Sequence, residues 1–365
     1  MCRRSVKIHW LISFVYDRIV QDCKTRSLEI RKNAQSGDFM SKRAVFLIAG
    51  ISILSLMHAA QPKISASLKP EFGMMNGMLR EYVIDYDNLN TGNVESRLDW
   101  QTLAVPYIGV SADMTLFDFL YLNFSGKIGL HSNSGIMQDY DYLNSVYDQW
   151  NGDDPTQITN YSSSKNVADS FYSVMFRAGW SFRTPVKIRL NPFASYEYEH
   201  IGFSAYGGTA KYKQNNFEEF SLGSSSQKVI SYGQDINAVF LGLQAVANPH
   251  RKITLQADFL ISPWLTWISC IDKHYLRSLA FLDLIDNAFQ LKADLAFFYN
   301  FSQITSLGIC AFIHYIPLST GADYAAYMSG RGEITGDEWF YAGDTIRGGT
   351  DRFFWSVSLA YMIRF

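Results

Sequence analysis

From about residue 61 onward, apolar and polar positions alternate with a period of two. Leu120, Leu122, Phe124, Ile128 and Leu130 alternate with Tyr121, Asn123, Ser125, Lys127 and His131. Tyr172, Val174, Phe176, Ala178, Trp180 and Phe182 alternate with Ser173, Arg177, Gly179 and Ser181. The same alternation runs through Ile253–Ser262 and through Phe289–Phe297. Side chains two apart on extended backbone share a face, so each run is a strand with one greasy and one polar side. The last run, Phe353 to Phe365, is the cleanest, with Phe353, Trp355, Val357, Leu359, Tyr361, Ile363 and Phe365 on one face. The pattern predicts ten strands, near 65–86, 94–111, 116–131, 169–183, 186–204, 232–247, 251–268, 287–301, 304–319 and 351–365. Short links near 112–115, 184–185, 248–250 and 302–303 alternate with long polar links near 132–168, 205–231, 269–286 and 320–350.

An even number of half-apolar strands with short links at one end and long ones at the other fits a transmembrane β-barrel. A soluble β-sandwich shows similar alternation. The barrel is favoured by a terminal aromatic that resembles the assembly signal of bacterial outer-membrane proteins. The predicted fold class is all-β: a ten-stranded antiparallel transmembrane barrel with long extracellular loops.

The beginning of the chain reads differently. Met40-Ser41-Lys42-Arg43, the apolar run Ala44–Met57 and the small residues Ala59-Ala60 have the layout of a secretory signal peptide. Residues 1–39 are then expected to be an upstream over-extension, 40–60 the signal and 61–365 the barrel. An internal signal-anchor is the competing reading of Ala44–Met57.

Composition agrees with the barrel. Aromatics are 15% of the 365 residues, charged residues 18%, and net charge is −2, which gives no reason to expect a nucleic-acid partner. The four cysteines, Cys2, Cys23, Cys270 and Cys310, make neither a disulfide framework nor a zinc spacing. No cofactor or metal is expected. The inward Lys127, Arg177 and Lys292, with Asp258 and Asp294, are expected to pair across a polar lumen.

Two acidic stretches carry candidate chemistry. In Cys270-Ile271-Asp272-Lys273-His274-Tyr275, Asp272 and His274 face one way, and a carboxylate beside an imidazole raises its basicity. In Gly135-Ile136-Met137-Gln138-Asp139-Tyr140-Asp141, two carboxyls again face one way, and close carboxyls share a proton. If the pairs oppose each other, they make a water-activating hydrolytic site. Both are expected at the outer rim, just past strand ends.

These stretches resemble the omptins, outer-membrane endopeptidases on a ten-stranded barrel. The Asp139-Tyr140-Asp141 and Asp272-Lys273-His274-Tyr275 segments are similar to the family's catalytic motifs. Ser96-Arg97-Leu98-Asp99-Trp100 and Phe203-Ser204-Ala205-Tyr206-Gly207-Gly208 resemble two further family segments. The resemblance implies Asp139, Asp141, Asp272 and His274 as catalytic residues acting on polypeptides next to basic side chains. It also implies outer-membrane lipid as the surroundings and a monomer as the working unit. For the basic-residue pocket it implies Glu81 on the first strand and an acid two residues before Asp272, where this chain has Cys270. Asp153 or Asp154 is the implied acid for the following substrate residue. Lipopolysaccharide is an implied activator, held by outward Tyr, Glu and Arg; the matching positions are Tyr196, Tyr198 and His200, so only the Tyr is kept. The departures leave open an adhesin-like barrel with weak or lost peptidase activity, and the charged interior leaves open a small channel.

Overall fold

The computed structural model describes residues 64–86, 92–142, 158–186, 188–335 and 339–365. Ten antiparallel strands form a ring. They are β1 (Ile64–Tyr86), β2 (Gly92–Leu116), β3 in two segments (Leu120–Gly129 and Ser132–Asp141), β4 (Asn160–Trp180) and β5 (Ile188–Tyr212). They continue as β6 (Lys228–His250), β7 (Ile253–Ser262 and Thr266–His274), β8 (Leu279–Ile285 and Gln290–Asn300), β9 (Thr305–Tyr327) and β10 (Ile346–Arg364). Each strand pairs with the next, and β10 closes the ring on β1 from Ser67↔Arg364 to Asp85↔Ile346. Closure leaves no open edge, which a sheet in lipid requires.

The greasy faces point outward. On β10, Phe353, Trp355, Val357, Leu359 and Tyr361 are exposed, as are Leu241 and Leu243 on β6. On β6 the outward apolar positions run from Val239 to Ala247, and beyond them outward positions are Asn237, Asp235, Gly233 and Ser231. The apolar belt thus ends while the strand continues toward the end of the barrel opposite Phe365. At about 3.3 Å per residue with the usual barrel tilt, Tyr232 lies roughly 15–20 Å past the belt.

The strands are longer than their hydrophobic pattern indicates, and this corrects several expectations. The expected link at 112–115 is strand, pairing with Tyr121–Phe124, and the turn is at residues 117–119. The expected long link at 269–286 is mostly strand, with a tight turn from Tyr275 to Ser278 closed by Arg277 N–H donating to the His274 carbonyl. Likewise residues 132–141, 205–212 and 320–327 are strand, so the long loops are shorter than expected. Outside the belt the outward face is no longer greasy, so the alternation that marks a strand fades although the backbone ladder continues.

In the part of the lumen level with the belt, charges are paired. Arg177 meets Asp258 at 2.5 Å, Lys127 meets Glu71 at 3.5 Å, and Lys292 meets Glu197 at 2.5 Å and Glu199 at 3.3 Å. Arg352 completes the group on Glu199 at 2.5 Å. These pairs bear out the expected ion pairing for Lys127, Arg177, Lys292 and Asp258, although Lys127 takes Glu71 as its partner and, among the described residues, Asp294 forms no ion pair. A cavity of about 90 Å³ remains among these side chains. Above it, Trp100 stacks between Phe203 and Tyr232, 5.7 Å from each ring, and closes the lumen beneath the far end.

Candidate active site

The two acidic stretches lie on strands, not past strand ends. Asp272 and His274 are on the last turn-ward stretch of β7, in register with Tyr232 and Ile230 of β6. Both side chains face the lumen, and a ring nitrogen of His274 is hydrogen-bonded to the Asp272 carboxylate. Phe281 of β8 stands edge-on to the imidazole at 5.5 Å and limits its tilt. Lys273 faces the other way and donates to the Gly332 carbonyl. The same-side, opposite-side reading of this triplet holds.

Asp139 and Asp141 are on the second segment of β3, in register with Leu98 and Ser96 of β2. A register shift between Asn133 and Gly135 precedes them. Such a bulge adds a residue and re-aims the strand beyond it, so Met137, Asp139 and Asp141 face the lumen. Gly135 has φ +110°, a conformation that a side chain makes costly, and an added Cβ would meet the Gln101 side chain at 2.6 Å.

All four side chains are buried, from 2% exposure at Asp272 to 7% at Asp139 and His274. They face each other across the lumen: Asp139 feels the charges of Asp141, His274 and Asp272. Burial, with Asp141 beside it, pushes the Asp139 carboxyl up to about 7. Burial opposes a charge on His274, but Asp272 outweighs it and holds the imidazole above its ordinary value. One Asp139 oxygen and one Asp272 oxygen are buried without a hydrogen-bond partner. Unpaired acceptors of this kind point to an occupant of the space between them, such as water. Asp141 accepts from the Asn160 amide at 3.2 Å.

Sequence reasoning missed Arg277. It lies in the β7–β8 turn, half-exposed, with a guanidinium nitrogen 3.6 Å from the Asp141 carboxylate. The position, three residues past His274, would have been found had the turn been recognised as tight. Sequence reasoning also missed Asp283 and Asp323, buried on β8 and β9.

Of the implied pocket residues, Glu81 is buried and faces the lumen level with Asp139, through Leu98 in register with both. Cys270 is buried on β7, and its thiol is pushed up by burial. Asp153 and Asp154 lie outside the described residues. The implied lipid-contact positions face outward on β5 but are tied to neighbours. Tyr198 donates to Asp235 at 2.7 Å, His200 sits 2.9 Å from the same oxygen, and Tyr196 donates to Asn237 at 2.6 Å. Of the resembling segments, Trp100 is the stacked ring under the site, while Arg97 faces outward over the Tyr140 ring at 4.6 Å.

A model of the omptin family matches residues 62–335. The chain is an omptin. Among curated relatives, it is 27% identical to the plasminogen activator of Yersinia pestis over 250 residues, which is 66% of this chain and 75% of the relative. It is 26% identical to the outer membrane protease OmpP of Escherichia coli strain K12 over 230 residues, 62% of this chain and 68% of that one. The crystal structure of the outer membrane protease OmpT from Escherichia coli superposes with a TM-score of 0.71 at 15% identity, covering 84% of this chain and 99% of that one. The omptin barrel and its outer-membrane location follow from this membership, and the ten-strand ring agrees with it.

Proposed function

We propose that this omptin is an endopeptidase that hydrolyses peptide bonds next to basic residues, using water activated between Asp139/Asp141 and the Asp272–His274 pair. The observation that carries the reading is the confrontation of the Asp139/Asp141 carboxyl pair with the Asp272-bonded imidazole of His274 in one buried space. One curated relative is named an outer membrane protease and the other a plasminogen activator, which supports the same reaction class.

In the proposed mechanism Asp272 orients His274 and stabilises the imidazolium that forms when His274 takes a proton from the water. The resulting hydroxide attacks the scissile carbonyl, and the C–O bond forms as the carbonyl electrons move to oxygen. Asp139, pushed up to about 7 and so protonated in part of the molecules at neutral pH, donates a hydrogen bond to that oxyanion in its protonated form, while Asp141 holds the water. Collapse breaks the C–N bond, and the imidazolium gives its proton to the leaving amine. No covalent peptidyl-enzyme forms. The Trp100–Phe203–Tyr232 layer keeps the site dry from below, which strengthens each of these interactions. The far end of the barrel faces outside the cell, and the barrel acts as a monomer. Lipopolysaccharide is an expected modulator only to the extent that Tyr196 and its neighbours reach it. The network that ties His200 and Tyr198 to Asp235 supports weak dependence on it.

The test is cleavage of peptides carrying Arg-Arg, Arg-Lys or apolar pairs by the folded protein in detergent, run beside conductance in liposomes. Cleavage without conductance is expected. Conductance without cleavage would replace the peptidase with a channel, and neither would leave a binding barrel.

A further inference from the structure

The outer lumen holds two buried carboxyls that the hydrolytic mechanism leaves unused. Asp283 on β8 is in register with Asp323 on β9, and on its other side with Cys270 on β7. The three inward side chains therefore form one row across three neighbouring strands. Asp283 and Asp323 are neighbours in that register, and burial raises both carboxyls, Asp283 with the Asp323 charge beside it, which favours one proton on the pair. The Asp283 carboxyl also lies over Gly348 of β10, where any Cβ would collide with it. Gly348 thus lets Asp283 reach across the lumen toward β1. From β1 comes Glu81, which is 4% exposed and close enough to feel Asp272, Asp283 and Asp323.

Three carboxyls from three strands thus meet beside the Asp272–His274 pair. Glu81 Oε2 and Asp323 Oδ1 are buried with no hydrogen-bond partner. Among the described residues, no Lys, Arg or His forms an ion pair with Glu81, Asp283 or Asp323. The contrast with the paired charges lower in the lumen is direct. Buried carboxyls without cations are costly, and a cationic group from outside the chain relieves the cost. The orphaned oxygens give such a group acceptors from two directions, which suits the fork of a guanidinium or the three donors of an ammonium.

We propose that Asp283 and Asp323, together with Glu81, bind the cationic end of a substrate Lys or Arg side chain beside the scissile bond, supplying from β8 and β9 the charge that Cys270 on β7 does not. The inference rests on the peptidase reading above and adds to it two specificity-determining residues. The pocket is moved by one and two strands around the ring, so Cys270 lies at its edge. Asp272 belongs to the site of reaction, and its nearness to Glu81 and Asp283 places the pocket beside the attacked carbonyl.

The test compares two peptides that differ only in Lys against norleucine at the residue before the cleaved bond. The wild type should prefer Lys by about 100-fold or more in kcat/KM. Asp283→Asn with Asp323→Asn should cut that preference below about 10-fold, with the norleucine peptide cleaved within a few-fold of the wild-type rate. Each single Asn can donate to the remaining carboxylate, so the single variants should show intermediate preference in a folded barrel. An unchanged preference in the double variant overturns the proposal. A second measurement does not depend on cleavage: binding of butylguanidinium to His274→Ala protein by calorimetry. Affinity should fall ten-fold or more when Asp283→Asn and Asp323→Asn are added. Equal affinity overturns the pocket. If binding falls as expected while the wild type cleaves nothing, the pocket stands and the peptidase reading fails.

Discussion

The lumen of this barrel contains two populations of buried charge that differ in how they are satisfied. Level with the apolar belt, Arg177, Lys127, Lys292 and Arg352 each have a carboxylate within 3.5 Å. At the far end, Asp139, Asp141, Asp272, Glu81, Asp283 and Asp323 are equally buried. Among the described residues, the cations paired with them are only His274 and the half-exposed Arg277. A folded chain tolerates uncompensated acids where something else is meant to enter. The lower set therefore reads as scaffold and the upper set as a site, although both are buried charge.

Substitutions in the two sets should have opposite phenotypes. The largest catalytic effect is expected at His274: His274→Ala should lower kcat/KM for a basic peptide by roughly 10³–10⁴-fold, a general base and its field being lost together. The thermal midpoint should hardly move. Lys292→Met should do the reverse. It leaves Glu197 buried without its cation, a defect that costs about 3–5 kcal/mol. Thermal unfolding in detergent should shift down, while kcat/KM of the folded fraction stays within a few-fold. If Lys292→Met kills activity in a fully folded barrel, the division between scaffold and site is wrong.

The pH dependence sharpens the upper half of the comparison. His274 must be neutral to take a proton, and Asp272 holds its pKa above the ordinary imidazole value. Activity should therefore rise with pH through that value. Asp139, at about 7, must keep its proton, so activity should fall as pH passes well above 7. The expected kcat/KM profile is a narrow bell. Asp272→Asn removes the charge that raises His274, so the acid limb should move to lower pH and the maximum should drop by on the order of 10²-fold or more. An acid limb that stays in place would assign it to another group.

Arg277→Gln tests a smaller effect. Its contact with Asp141 is 3.6 Å long and half-exposed, so solvent screens it, and a change in kcat/KM of a few-fold is expected. Smallest is Cys270→Ser. The thiol is buried and contacts Gln234 at 3.6 Å, and it neither touches the reacting atoms nor carries charge. A change under about two-fold is expected.

The barrel was legible in the sequence because lipid imposes the alternation on every strand that crosses it. The ten strands follow from that, and so does the inward pairing of Lys127, Arg177 and Lys292. What was not legible is the part of several strands beyond the belt, β3 and β7 among them, where the outward face is no longer uniformly apolar; the expected β1 and β6 already ran past it. Residues 132–141 and 269–274 consequently looked like loop. The Asp272–His274 and Asp139–Asp141 pairs could still be read, because two residues apart means one side on any extended backbone. Their confrontation could not, since it depends on a bulge at Gly135 and on the ring closing. Asp283 and Asp323 were missed for a related reason. They are 40 positions apart in sequence and become neighbours only through the β8–β9 register. The acid implied at the position of Cys270 was visibly missing, but the acids on β8 and β9 that we propose in its place were not visible.

The most direct test of the division between scaffold and site is the hydrolysis of one Arg-Arg peptide by wild-type and Asp139→Ala protein, each shown to be a fully folded barrel by its heat-dependent gel mobility. The wild type should cleave, and Asp139→Ala should lose at least about 10³-fold at unchanged stability. Equal cleavage by the two would contradict the division, because the proton-sharing carboxyl pair would then have no part in the reaction.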